Sequence, residues 1–379
     1  LLFISLASLM SGVLNSLGKF AAAAATPILL NLCLIGSIII IARYTDTPAH
    51  ALAWGVTIAG VIQFIWLLFN CGWAGFWLRL IRPQFTNNIS KMIRRILPAA
   101  VGAGVYQISL LIDTIIASLL PSGSISFLFF ADRVNQLPLG VIGVAVGTAL
   151  LPLMSRQLSV ADHKGALDSQ NRAIELSLFL TLPAAVGLVV LAEPTISVLF
   201  ERGAFDAVSA KSTAEALAMY AIGLPAYVVI KALIPGFFAR EDTSTPVKIA
   251  AVSLFINLIL NLILMGSFLH IGIAAATAIS AWCNALALAF VLKKRGYFAL
   301  DTRNIFRLPR MAVASVLMGT VLFSSLTFSN NYFVYETPVT FYILTTLVFV
   351  GLIIYLSLSF LFNAVKWSEF KQLFLRKVT

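Results

Sequence analysis

A chain of 379 residues that is 60% apolar and 11% charged, with a mean hydropathy of +0.97, cannot hide its apolar surface in one water-soluble core. Its net charge of +11 invites a polyanionic partner, but most of the basic residues sit in alternate loops between apolar stretches, so the excess is a topology signal and no nucleic acid is expected. Three cysteines, Cys33, Cys71 and Cys283, show no CxxC spacing, which excludes a disulfide framework or a cysteine-based metal site and leaves them as small apolar side chains.

Eleven apolar stretches are predicted to span a membrane as helices: 1–16, 24–42, 51–70, 97–120, 124–154, 173–192, 213–237, 246–267, 271–292, 308–328 and 338–363. Hydrocarbon offers the backbone no hydrogen-bond partner, so a span must satisfy its own N–H and C=O groups, and about 20 apolar residues of helix do so. The first stretch opens on Leu1-Leu2-Phe3-Ile4 without a basic flank. It reads as the inside of a helix rather than a signal peptide, and a longer protein is expected.

Twenty-one of the 26 Lys and Arg fall in one set of alternate loops, including Arg79, Arg82, Lys91, Arg94, Arg95, Lys293, Lys294 and Arg295. The opposite set holds only Arg43, Arg202 and Lys211. The positive-inside rule makes the first set cytoplasmic, and with it the C-terminus. Residues 1–70 are then three spans remaining from a first helical bundle, and 71–96 a cytoplasmic linker lying on the inner leaflet with Trp73, Phe76 and Trp77 at headgroup level. Residues 97–292 form a second, six-helix bundle, in which 156–172 is a polar cytoplasmic connection. Residues 293–307 are a basic connection, 308–363 two additional helices and 364–379 a basic tail.

A short internal match supports this division. Gly18-Lys19-Phe20 leads to Thr26-Pro27 as Gly236-Phe237-Phe238 leads to Thr245-Pro246, six spans later. An even offset means a parallel repeat. A six-span repeat implies that three helices precede residue 1, and about fourteen spans in all.

Polar residues inside the spans are the candidates for function. Ala131-Asp132-Arg133-Val134-Asn135-Gln136-Leu137-Pro138 places two charges in the fifth stretch, where each costs about 2.5–3.5 kcal/mol on insertion scales. Adjacent residues point about 100° apart on a helix, so both need protein or water rather than lipid. Arg133 is either an anion ligand in a cavity or a structural cation neutralised by Asp132 or a neighbouring helix. Pro138 is expected to bend this helix, with Gly140, Gly143 and Gly147 allowing close packing.

Asp113 in the fourth stretch, Asn257 and Asn261 four apart in the eighth, and Thr277 in the ninth carry oxygens suited to a hard cation such as Na⁺. The same residue types also simply hydrogen-bond between membrane helices. Lys231 is expected to snorkel to the interface, and Glu175 and Glu215, near span ends, to be solvated. His50, His163 and His270 fall in loops or at span ends. No HExxH, paired-carboxylate or phosphate-loop pattern exists, which argues against an enzyme and against ATP hydrolysis.

Several motifs resemble the MurJ (MviN) family of bacterial lipid II flippases, within the multidrug/oligosaccharidyl-lipid/polysaccharide exporter superfamily. They are Phe130-Ala131-Asp132-Arg133, the run Gly140 to Thr148 with Leu151-Pro152, the loop Leu199-Phe200-Glu201-Arg202-Gly203-Ala204-Phe205-Asp206, Lys231-Ala232-Leu233, and Phe237 to Val247. The resemblance implies fourteen helices, in two six-helix bundles plus a C-terminal pair forming a lipid groove. It implies a cytoplasmic-membrane transporter without a cofactor that moves undecaprenyl-pyrophosphate-linked disaccharide-pentapeptide outward for peptidoglycan synthesis, among membrane lipids and the peptidoglycan synthesis machinery.

By the same resemblance Arg133, with Asp132 and Gln136, binds substrate, and Asp113, Asn257, Asn261 and Thr277 fall where some members hold Na⁺. Gln136 stands where several relatives carry Glu, and Asn261 where Na⁺-binding members carry Asp, which weakens the ion site. Na⁺, H⁺ and the membrane potential all stay open as driving forces. The rival readings are another exporter of the superfamily, a polyprenyl-lipid enzyme and a non-transporting scaffold. A lone arginine within the membrane disfavours a drug antiporter, and the lack of clustered carboxylates or histidines disfavours an enzyme.

Overall fold

In a computed structural model the chain is helical, with no strand among the described residues, which are 2–76, 89–90, 104, 107–329 and 338–365. Among the described residues, seven helices are long and apolar enough to cross a membrane. The chain divides into two compact units, Leu1–Ser90 and Lys91–Thr379.

In the first unit, α1 (Leu2–Ser16), α2 (Phe20–Ala24), α3 (Thr26–Ile40, continued by a tighter turn Ile41–Tyr44) and α4 (Pro48–Trp73) follow one another closely. Pro27 and Pro48 open α3 and α4, where a missing N–H costs no helical bond. Thr47 caps α4 by accepting from the His50 N–H. Met10, Leu14, Leu67 and Cys71 form the buried core between α1 and α4. The Gln63 amide donates to the Thr26 carbonyl at 2.8 Å, tying α4 to the start of α3. The expected linker 71–96 lies mostly outside the described residues; its first three residues are the last turn of α4.

The second unit contains α5 (Gln107–Ser118), α6 (Ser124–Pro138), α7 (Val144–Ser159), α8 (His163–Val190), α9 (Ala192–Phe200), α10 (Ala207–Phe238), α11 (Ser244–Lys294), α12 (Thr302–Ser329) and α13 (Pro338–Leu361). Most of the part of the 97–120 stretch that precedes α5 lies outside the described residues. The 124–154 stretch bends as expected. α6 ends at Pro138, whose missing N–H breaks the ladder, and one wide π turn, Leu139–Gly143, joins it to α7. The Lys231 stem on α10 lies against Gly143, where a Cβ would stand only 2.9 Å from Lys231 Cδ.

Two polar connections prove to be largely helix. Residues 163–172 are the first turns of α8, begun by Asp162, whose carboxylate accepts from the Gly165 N–H at 2.8 Å. Residues 302–307 begin α12, where Asp301 accepts from the Asn304 N–H at 2.8 Å. A hydropathy profile marks where a helix stops being apolar; a capping side chain marks where it stops being a helix, and here the two differ by up to ten residues.

α11 is 51 residues long. At 1.5 Å per residue that is about 75 Å, more than twice a bilayer core. Its backbone leaves helical geometry at Leu269 (φ 50°, ψ −133°), between the two stretches expected there. The turn is tight: a Cβ on Gly272 would lie 2.6 Å from the Leu264 carbonyl oxygen. His270 is buried at this break, its Nε2 donating to the Ser212 carbonyl at 3.0 Å.

Small side chains let these helices approach, as membrane helices require. Ala131, Ala214, Ala216, Leu217, Ile273 and Ala274 pack one core, and Met154, Leu233, Phe237, Leu288 and Leu292 another. A third joins α8 to α12 and α13 through Phe179, Met311, Met318, Leu322 and Tyr355.

One bond fixes α13 onto α8. Pro183 has no N–H to give the Phe179 carbonyl one turn earlier. The buried Tyr355 hydroxyl donates to that carbonyl at 2.8 Å. Tyr355→Phe leaves it orphaned in an apolar core and is expected to cost about 1–3 kcal/mol. Thermal unfolding in detergent measures the loss, and Pro183→Ala, which restores a helical donor, should shrink it. An unchanged Tm in Tyr355→Phe would show the bond to be idle.

Candidate functional site

α6 carries four polar side chains, Asp132, Arg133, Asn135 and Gln136, within five residues. Ala131, Val134 and Asn135 face the packed interior, and Phe129, Arg133 and Leu137, four apart, lie on the exposed side. Asp132 is half-buried between these faces and accepts a hydrogen bond from the Gln136 amide. Its carboxylate is thus engaged one turn along the helix, and no ion pair joins it to Arg133 among the described residues. The Arg133 guanidinium lies over the Phe129 ring, 4.8 Å from its centroid. A stacked guanidinium commits its face and leaves its N–H edge available, which is the edge that phosphate oxygens engage.

Asp113, Asn257, Asn261 and Thr277 come together from α5 and the two arms of α11 in one hydrogen-bonded chain. The Asn261 amide donates to Asp113 at 2.7 Å and to the Asn257 side-chain oxygen at 3.1 Å; the Asn257 amide donates to Thr277 at 3.3 Å, and Thr277 to the Ile273 carbonyl at 2.9 Å. Asn257 and Asn261 are buried. The Asn261 side-chain oxygen is buried without a hydrogen-bond partner among the described residues, so the cluster keeps one acceptor unspent there. A hard cation would take oxygens of this kind, though only one carboxylate is present among the four residues.

Glu175 departs from the expectation of a solvated side chain. It is buried and pairs with Arg172 on its own helix, Arg303 at 3.1 Å and Arg307 at 2.7 Å. Arg172 also pairs with Asp301. Asn171 and Asn304, both fully buried, hydrogen-bond each other beside this cluster, and Asn171 donates to the Ala299 carbonyl at 2.9 Å. Arg303 and Arg307 lie 128 and 132 residues from Glu175 in sequence. The available signal was the spacing of Arg303 and Arg307, four apart on one face of α12, both of which pair with Glu175. Glu215 is exposed, as expected.

Two of the sequence motifs become loop devices. In the loop after α9, Gly203 takes a positive φ of 62°, Arg202 and Phe205 bridge, and Asp206 caps α10 by accepting from the Ser209 N–H. Phe205 and Phe200 then close on Phe130 of α6, with centroids 5.3 and 4.8 Å away. At the opposite ends of the helices, Arg295 donates to Asp242 at 2.5 Å and to Thr245 at 3.0 Å, pinning the two termini of α11 together. Partial burial pulls the Asp242 carboxyl up, but hydrogen bonds from Thr245, Arg295 and Ser244 outweigh it and hold the group well below the usual carboxylate range.

Residues 1–344 match the family model described as lipid II flippase MurJ. Proteins called probable lipid II flippase MurJ from Rhizobium meliloti and Rickettsia prowazekii are 44% and 39% identical over 325 and 284 residues. Those matches cover 84% and 75% of this chain and 60% and 56% of the relatives, so the chain spans about three-fifths of their length. A solved structure of lipid II flippase MurJ in an inward closed conformation superimposes with a TM-score of 0.76 at 26% identity, over 99% of this chain and 72% of the other. An inward-facing multidrug MATE transporter shares the fold, with a TM-score of 0.67 at 14% identity over 77% and 68% of the two chains. The chain is therefore a multi-pass membrane protein that belongs to the MurJ family of lipid II flippases.

Proposed function

We propose that the protein of which this chain is part flips undecaprenyl-pyrophosphate-linked disaccharide-pentapeptide from the inner to the outer leaflet of a bacterial cytoplasmic membrane, with the C-terminus inside. The substrate has an anionic head and a long apolar tail. It needs a polar path for one and a lipid-facing groove for the other. We assign the path to the α6 face bearing Arg133 and the groove to α12 and α13. Within this reading eleven spans lie in the chain, of about fourteen in two six-helix bundles plus the C-terminal pair, and rocking of the bundles alternates access.

The observation that carries the proposal is Arg133: a guanidinium on an apolar helix, stacked on Phe129, while its carboxylate neighbour is held by Gln136. Asp132 and Gln136 complete the polar face that the head crosses. Each net negative charge moving outward across 100 mV, interior negative, gains roughly 2.3 kcal/mol. The potential therefore favours outward movement of the head.

Asp113, Asn257, Asn261 and Thr277 are the residues that would hold Na⁺, whose inward gradient would add to that drive. With one carboxylate the site is weak, and Asp113→Asn is expected to retain more growth support than Arg133→Ala in cells depleted of their own flippase. Strict Na⁺ dependence of transport, abolished alike by Asp113→Asn, would instead make the cluster an obligatory coupling site.

A further inference from the structure

Four aromatic residues connect the end of α9 and the loop after it with Arg133. Phe205 and Phe200 pack on Phe130, with centroids 5.3 and 4.8 Å apart. Phe130 meets Phe129 edge-on at 5.8 Å. Phe129 lies 4.8 Å beneath the guanidinium of Arg133. Phe129 is itself 53% exposed, so it contributes little to the core.

We propose that Phe129 is a positioning residue for Arg133: braced by Phe130 and the loop, its ring holds the guanidinium flat so that the N–H edge meets a pyrophosphate already oriented. This rests on the assignment of Arg133 as head-group ligand. The physical case is that an arginine side chain has many rotamers to lose on binding. A stacked partner restricts them beforehand and consumes no donor, whereas a carboxylate partner would restrict them by occupying the edge that the ligand needs. Gln136, by engaging Asp132, keeps that carboxylate from competing. The motif Leu199–Asp206 thereby gains a role in binding: Phe200 ends α9, and the turn set by Gly203 and the Asp206 cap brings Phe205 beside it, both against Phe130.

The test is equilibrium binding of radiolabelled undecaprenyl pyrophosphate to the intact protein in detergent, with Tm measured alongside. Phe129→Leu should weaken binding about threefold, the size of an exposed cation–π contact, with Tm unchanged. Phe129→Tyr and Phe129→Trp should bind as the parent does. In an Arg133→Ala background, Phe129→Leu should have no further effect.

Loss of binding in Arg133→Ala with full binding in Phe129→Leu would overturn the positioning role and leave the ligand assignment intact. Equal weakening by Leu, Tyr and Trp would also overturn it, because stacking would not be the cause. Full binding in Arg133→Ala would remove the assignment on which the proposal stands.

Discussion

Arg133→Ala is expected to abolish growth support in cells depleted of their own flippase, while the intact protein accumulates in the membrane at parental levels. The two halves of this result separate function from folding. A guanidinium within a span costs about 2.5–3.5 kcal/mol on insertion scales, so its removal makes α6 easier, not harder, to insert. Arg133 is exposed in the second unit and makes no ion pair or hydrogen bond among the described residues, so no buried partner is stranded by its loss. Arg133→Lys should be intermediate: the charge stays, but the planar fork that engages two phosphate oxygens is gone. Complementation scored against membrane abundance reads both outcomes. Normal growth with well-expressed Arg133→Ala would remove this residue as head-group ligand.

The second large effect concerns stability. Glu175→Ala leaves Arg172, Arg303 and Arg307 without their common carboxylate, and Arg307 is itself only 6% exposed. Breaking a buried ion pair from one side costs about 3–5 kcal/mol because the remaining charge keeps its desolvation penalty. The loss falls where α12 meets α8, and Tm of the purified protein should drop steeply. Replacing the pair together, as Glu175→Met with Arg307→Met, removes both buried charges and should recover part of the loss. Equal Tm in Glu175→Ala and the parent would mean that the cluster is solvated after all.

These two sites differ in how far the sequence alone reveals them. Arg133 is legible because a charge amid apolar residues is anomalous within a single window of α6. Likewise Pro138 announces the bend between α6 and α7, and Asn257 and Asn261, four apart, announce a shared face, which the structure closes onto Asp113 and Thr277. Glu175 is illegible in its own window. A carboxylate at the polar end of an apolar helix resembles a solvated one until arginines 128–132 residues later are folded against it.

Helix ends fail for a different reason. The stretches 173–192 and 308–328 locate the apolar portions of α8 and α12, but Asp162 and Asp301 start those helices ten and six residues earlier, in polar sequence that hydropathy discards. Tyr355 required tertiary knowledge of another sort: Pro183 marks a free carbonyl at Phe179, yet nothing local says that a tyrosine on α13 will fill it.

The account is tested most directly by transport in a purified system. Intact protein in liposomes, with an undecaprenyl-pyrophosphate-linked glycopeptide labelled on one leaflet and an imposed potential, reports translocation without the rest of the cell. The parent should move the lipid toward the positive side, and Arg133→Ala should fall to the rate of protein-free liposomes. Translocation at the parental rate by Arg133→Ala would contradict the account.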